Sequence, residues 1–235
     1  MKRYHNIFID LDDTIYDTRG NADMALRQLY DHFQLGRYFT SFEAFHEPYW
    51  LTNIMLWADY AQGRITRDYL IMERFRRPLS EGKGLEVTPE LCLSVSAFFL
   101  DACSNLSDVV EDAHEVLAYL KEKGYRLHLC TNGFHEVQYK KMKASGLDVY
   151  FDKVILSEDA GANKPSADFF EYALRETGAD RETTLMIGDN FITDIEGAKG
   201  VGIDVMFFNR RPSEFSAPSP VNYEIHALRE IRNIL

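Results

Sequence analysis

The chain has 235 residues, 46% hydrophobic and 27% charged, a mix that supports a buried core and excludes a disordered or collagen-like chain. Its 26 Lys plus Arg stand against 37 Asp plus Glu, a formal charge of -11. That balance disfavours duplex nucleic acid or an anionic membrane as partner, and leaves a small phosphorylated substrate open where metal or local cations assist.

Cys92, Cys103 and Cys130 lack CxxC spacing, so neither a disulfide framework nor a zinc knuckle is expected. No run approaches the ~20 apolar residues of a spanning helix. Met1-Lys2-Arg3-Tyr4 reaches Asp10 without the apolar stretch of a secretory leader. A reducing, cytoplasmic setting is the expectation.

In chain order, Asn6-Ile7-Phe8-Ile9 is a short apolar run stopped by Asp10-Leu11-Asp12-Asp13-Thr14, the pattern of a buried strand opening into a polar loop. From residue 16 to 105 apolar residues recur at helical spacing, as in Ala22, Ala25, Leu26, Leu29 and Phe33. Thr88-Pro89 is a helix start with Thr as N-cap. An all-helical insert is predicted here, interrupted near Gly82 and Gly84.

After residue 106 the period alternates. A helix through Val116 and Leu120 precedes a strand at Arg126–Cys130, and a polar, basic helix follows over 134–145. Short strands are predicted at Val154–Leu156, Thr184–Ile187 and Ile203–Phe208, with helices around Phe169–Leu174 and Ile192–Ala198 between them. A Pro- and Ser-rich loop, 212–220, and a closing helix over Tyr223–Leu235 complete the chain. Alternating strands and helices predict an α/β Rossmann-like three-layer core with a parallel sheet. The core is expected over 1–15 and 106–235, and the helical cap domain over 16–105.

Ligands of parallel sheets collect at the carboxyl ends of strands. Those ends carry Asp10 and Asp12, Thr131 and Asn132, the stretch from Ser157 to Lys164, and Asp189 with Asp194. Acids gathered at one rim repel one another unless a hard cation joins them, and Mg2+ suits an all-oxygen set. Asp10 could attack phosphorus, Asp12 could act as acid and base, and Thr131 and Lys164 could face phosphoryl oxygens. Lys140-Lys141-Met142-Lys143 reads as a solvated helix face, and Cys130 as buried and inert.

Four ordered segments carry a resemblance. They are DxDxT at Asp10, Asp12 and Thr14, Thr131 in Cys130-Thr131-Asn132-Gly133, Lys164 before Pro165, and GDxxxxD from Gly188 and Asp189 to Asp194. In this order they resemble the haloacid dehalogenase (HAD) superfamily. The resemblance implies a nucleophile at Asp10 and phosphate binding by Thr131, Asn132 and Lys164. It implies Mg2+ held by the side chains of Asp10 and Asp189 and the backbone carbonyl of Asp12, with Asp194 at or beside the metal shell. It implies a helical cap that closes over a small phosphorylated metabolite. Tyr16, Arg19, Trp57 and Arg64 are candidate base or sugar contacts, since aromatic rings can stack on bases, and a monomer or homodimer is expected.

Asp12 favours a phosphatase, since the family's dehalogenases lack that aspartate and the metal. A 2-haloacid dehalogenase, a sugar-phosphate mutase and a non-catalytic binding protein of the same fold are the alternatives. Thr131-Asn132-Gly133-Phe134 with Gln138, and Tyr223-Glu224-Ile225 after Asn209-Arg210, further resemble the pyrimidine 5'-nucleotidase-like subfamily, which implies nucleoside 5'-monophosphates as substrates.

Overall fold

The computed structural model describes residues 4–210, 212–213 and 215–235. The expected start of the core at residues 1–3, and Glu214 of the expected 212–220 loop, lie outside the described residues. The chain divides into two compact units, one formed by Met1–Thr18 with Ser107–Leu235 and the other by Arg19–Leu106.

In chain order, β1 (Asn6–Ile9) is followed by four helices, α1 (Thr18–His32), α2 (Phe42–Ala61), α3 (Arg67–Leu79) and α4 (Pro89–Ser104). Then come α5 (Ala113–Glu122), β2 (Arg126–Thr131), α6 (His135–Ser145), β3 (Lys153–Leu156), α7 (Ser157–Ala160), α8 (Ala167–Thr177) and β4 (Thr184–Gly188). A π-helical turn over Phe191–Glu196 leads into α9 (Gly197–Gly200), β5 (Asp204–Phe208) and β6 (Tyr223–Ile225).

The strands form one parallel sheet in the order β3-β2-β1-β4-β5-β6. Register follows the side-chain alternation of a strand. Ile7 pairs with Leu127 and Leu185, and Ile9 with Leu129 and Ile187. These residues pack on one face with Val116, Leu117 and Leu120 of α5 and Met142 of α6. Phe8, Cys130, Met186, Val205 and Phe207 point to the other face, against Phe169, Phe170 and Ala173 of α8. The result is the three-layer α/β core the alternation predicts.

One expectation is corrected. Tyr223–Leu235 is not a closing helix. Tyr223–Ile225 adds to the free edge of β5, where Asn209 N–H donates to Ile225 O at 2.9 Å, and only Leu228–Asn233 winds, as a 3-10 turn.

The second unit is helical. Thr88 Oγ1 accepts Leu91 N–H at 3.2 Å, the cap that Thr-Pro predicts. Tyr49, Phe75 and Phe99 form a ring triangle with centroids 5.3 to 5.5 Å apart. These rings and Leu26, Leu29 and Phe45 are buried.

Candidate active site

Each candidate segment leaves the carboxyl end of a strand, where the parallel backbone must turn. After β1 the chain coils around one carbonyl. Leu11 O accepts N–H groups from Thr14, Ile15 and Tyr16 at 3.3, 3.1 and 3.0 Å. The coil needs Asp13 at φ 60°, a region that aspartate tolerates better than most residues. Thr14 Oγ1 lies 3.3 Å from both Asp10 Oδ2 and Asp189 Oδ1 and accepts Asp189 N–H at 3.1 Å. One hydroxyl therefore joins the loop after β1 to the loop after β4.

Asp10, Asp189 and Asp194 each offer a carboxylate oxygen, all within 4.8 Å of one another. Lys164 Nζ donates to Asp10 Oδ1 (2.6 Å), Asp194 Oδ1 (2.7 Å) and Cys130 O (2.7 Å), which uses all three ammonium hydrogens. Burial disfavours the Lys164 charge, but Asp10 and Asp194 outweigh it and hold the ammonium well above its ordinary range. Burial, with Asp194 and Asp12 adding to it against the opposing pull of Lys164, raises Asp10 to about 7. Burial followed by Asp10 and Asp194 raises Asp189 well above the carboxylate range. Burial also pushes the Cys130 thiol up, keeping it protonated.

Asp194 is seated by its second oxygen as well, since Oδ2 accepts Asn190 N–H at 3.1 Å. A Cβ on Gly188 would collide with this carboxylate. The glycine of GDxxxxD thus makes room for the last aspartate of the same motif.

Asp12 points to other partners. Its Oδ1 accepts from Thr18 Oγ1 and Lys141 Nζ, both at 2.5 Å, and its Oδ2 from Gln138 Nε2 at 2.7 Å. Burial would raise this carboxyl, but Lys141 and the three hydrogen bonds outweigh it and hold it below its usual range. The expectation that Lys140–Lys143 is a solvated face is corrected at Lys141, which is buried. Val137, Gln138, Lys141, Met142 and Ser145 are the buried positions of α6. Lys141 falls on that inward stripe, four residues after Val137, a helical spacing that signals its direction.

Thr131 Oγ1 accepts from Gln138 Nε2 (2.7 Å) and Gly133 N–H (3.1 Å). Asn132 Nδ2 donates to Lys164 O at 2.9 Å, and Asn132 Oδ1 accepts Lys164 N–H at 2.8 Å. The Asn132 side chain therefore clamps the Lys164 backbone.

The four candidate contacts outside the strand ends divide. Tyr16 is fully buried in the first unit beneath Lys141, whose Nζ lies 5.2 Å from the ring centroid, so it offers no stacking face and that expectation is corrected. Arg64 is held by Asp59, with Nε and Nη2 donating to Oδ1 at 2.9 and 2.5 Å. Arg19 lies over the Trp50 ring, 4.7 Å from its centroid. Trp57 packs edge-on against Tyr60.

The family model for haloacid dehalogenase-like hydrolases matches residues 4–202, a span that holds all four strand ends. The chain belongs to the haloacid dehalogenase-like hydrolases. A HAD-hydrolase of Bacillus subtilis, YfnB, is 31% identical over 100% of this chain and 97% of its own length. The pyrimidine 5'-nucleotidase PynA of Streptococcus pneumoniae is 30% identical over 99% of this chain and 95% of its own. A crystal structure of YfnB bound to magnesium superposes with a TM-score of 0.87 at 28% identity, covering 100% of this chain and 99% of that one. As a HAD-like hydrolase the chain thus combines an all-parallel core, a helical insertion and an aspartate cluster. Among the described residues no helix is long and apolar enough to cross a membrane.

Proposed function

We propose that the protein is a Mg2+-dependent phosphomonoester hydrolase working through an aspartyl-phosphate on Asp10, with a nucleoside 5'-monophosphate as substrate. The carrying observation is the pairing of two unlike carboxyls two residues apart. Asp10 is braced by Lys164 within the aspartate cluster, and Asp12 is held apart from it by Lys141 and Gln138.

The residues present fit the metal. Three carboxylates converge with oxygen donors only, and burial with repulsion from neighbouring acids disfavours the ionised forms of Asp10 and Asp189, which is a deficit of positive charge at an oxygen site. Asp10 and Asp189 would hold the ion, with the Asp12 backbone carbonyl as the family resemblance implies. Asp194 braces Lys164 beside them. When bound, the ion supplies Lewis-acid stabilisation of phosphoryl oxygens and neutralises the carboxylates.

The chain's own groups account for the rest. Lys164 and Thr14 fix Asp10 by its two oxygens, so the nucleophile is oriented before substrate arrives. An Asp10 oxygen bonds to phosphorus as the bond to the leaving oxygen breaks. That oxygen takes a proton from Asp12. Water then attacks phosphorus and returns a proton to Asp12, and Asp10 is released. The substrate's own negative charge favours the protonated form of Asp12 in the first step. Thr131 donates to a phosphoryl oxygen.

The nucleotide reading is supported by the pyrimidine 5'-nucleotidases of Streptococcus pneumoniae and Escherichia coli, 30% and 28% identical to this chain. A phosphate-release screen over nucleoside monophosphates, sugar phosphates and cofactor phosphates, with and without Mg2+, tests both halves. Preference for pyrimidine monophosphates is expected. Release that persists in EDTA, or equal turnover across the panel, overturns the metal or the substrate assignment respectively.

A further inference from the structure

We infer that Gln138 and Lys141 of α6 are positioning residues that hold Asp12 for proton transfer, and that Gln138 also commits the Thr131 hydroxyl to donation. This deepens the phosphatase reading and rests on it.

The argument is a count of lone pairs and hydrogens. Asp12 Oδ1 accepts from Thr18 Oγ1 and Lys141 Nζ, which fills both of its acceptor positions. Among the described residues, Oδ2 accepts from Gln138 Nε2 alone and keeps one position open. Oδ2 is therefore the atom through which Asp12 gives and takes the proton. The same Gln138 nitrogen has a second hydrogen, which goes to Thr131 Oγ1. Because a carboxylate only accepts, the amide orientation with Nε2 toward Asp12 is fixed by its partners.

Thr131 Oγ1 also accepts Gly133 N–H. With two acceptor positions filled, its O–H is left as a donor, the polarity a phosphoryl oxygen requires. Gln138 thus couples the proton-transfer carboxyl to the phosphate-facing hydroxyl.

The seat is built for this. Gln138 is fully buried and Lys141 is 6% exposed, so both were taken from water and are worth that desolvation only when partnered. A Cβ on Gly133 would collide with the Gln138 amide, so the glycine after Asn132 leaves the space that Gln138 fills. Gln138 and Lys141 are three residues apart on one helix, adjacent on its surface.

The chemistry gives a selective readout. In the first half-reaction the Asp10–phosphorus bond forms, the phosphorus–leaving-oxygen bond breaks with its electron pair on that oxygen, and the proton moves from Asp12 Oδ2 to it. A nitrophenolate leaves well without that proton, and a phenolate does not. The full-length protein with Mg2+ is assayed on p-nitrophenyl phosphate and phenyl phosphate, comparing kcat/KM, which reports steps up to ester cleavage. Lys141→Met is expected to lower kcat/KM on the order of 100-fold for phenyl phosphate and less than about tenfold for p-nitrophenyl phosphate. Gln138→Met adds a loss common to both esters and weakens inhibition by inorganic phosphate, through Thr131. Lys141→Arg, which keeps the donors, restores most of the phenyl phosphate rate.

Equal losses on the two esters, or rates within threefold of wild type on both, overturn the inference. If either Met variant fails to give the wild-type circular dichroism spectrum, Lys141→Gln, polar but shorter and without the ammonium, carries the same comparison with the same expected selectivity. Absence of wild-type turnover on both esters with Mg2+ overturns the phosphatase reading and this inference with it. Normal wild-type turnover with unselective variants counts against Gln138 and Lys141 alone.

Discussion

Lys164 Nζ sits 2.7 Å from Asp194 Oδ1, with the two side chains 2% and 1% exposed. The same ammonium reaches Asp10 at 2.6 Å, so one buried cation serves two buried carboxylates. Lys164→Met would leave both acids without it. Removing one partner of a buried pair costs about 3–5 kcal/mol, and urea unfolding at neutral pH should show a loss of that size. Adding Asp194→Asn to the Met variant should recover part of it, because one uncompensated charge is removed. A Met variant as stable as wild type, with no gain from the second change, would mean the charges are not buried together.

The alternation of β1, β2, β4 and β5 was legible because each strand is apolar on both faces and ends at polar residues. Thr88-Pro89 was legible because capping is local chemistry. The role of Tyr223–Ile225 as a strand was not, since three residues carry no period and their pairing depends on the free edge of β5. Lys141 was hidden by composition. Three lysines within four residues look like a solvated face, and only the inward stripe of α6 separates the buried one from its neighbours. The clamp from Asn132 to Lys164 spans 32 residues, beyond any local pattern. Tyr16 follows the DxDxT loop closely in sequence, but the coil around Leu11 O turns it into the core.

Mg2+ should stabilise the protein through the Asp10–Asp189–Asp194 cluster. A ligand bound to the native state alone, at 100 times its Kd, contributes about 2.7 kcal/mol. Titrating MgCl2 should raise the Tm of the wild type. Asp189→Asn should abolish most of that rise. Asp12→Asn, whose side chain lies outside the cluster, should keep it. A rise that survives Asp189→Asn would place the ion elsewhere.

Gly188→Ala tests the crowding beneath Asp194. The new methyl would meet the Asp194 carboxylate, which is itself bonded to Asn190 N–H and Lys164. Forcing a methyl into such packing costs about 1–3 kcal/mol. Displacing Asp194 also loosens the ammonium that orients Asp10. The variant should therefore lose stability by that amount in urea titration and lose kcat more than KM. Wild-type kcat in a folded Gly188→Ala protein would show that Asp194 has room to move without consequence.

His128 should make stability depend on pH away from the aspartate cluster. It sits on β2 against Phe8, ring centroids 5.8 Å apart, with Nε2 3.3 Å from Asn6 Oδ1 and Nδ1 unpartnered among the described residues. Burial, reinforced by Arg126, Lys121 and Lys153 against the opposing effect of Asp152, lowers it from 6.5 to about 4. The unfolded chain therefore takes up a proton below pH 6.5 that the native state refuses until about pH 4. Stability falls as pH drops through that window and levels off, as far as this group is concerned, beneath it. The size is about 3 kcal/mol at one shift unit per 1.36 kcal/mol. His128→Leu removes the titrating ring, so the stability difference between wild type and variant should narrow or reverse by that amount as pH falls from 6.5 to 4. A difference that stays constant across the window would show that the ring charges equally well in both states.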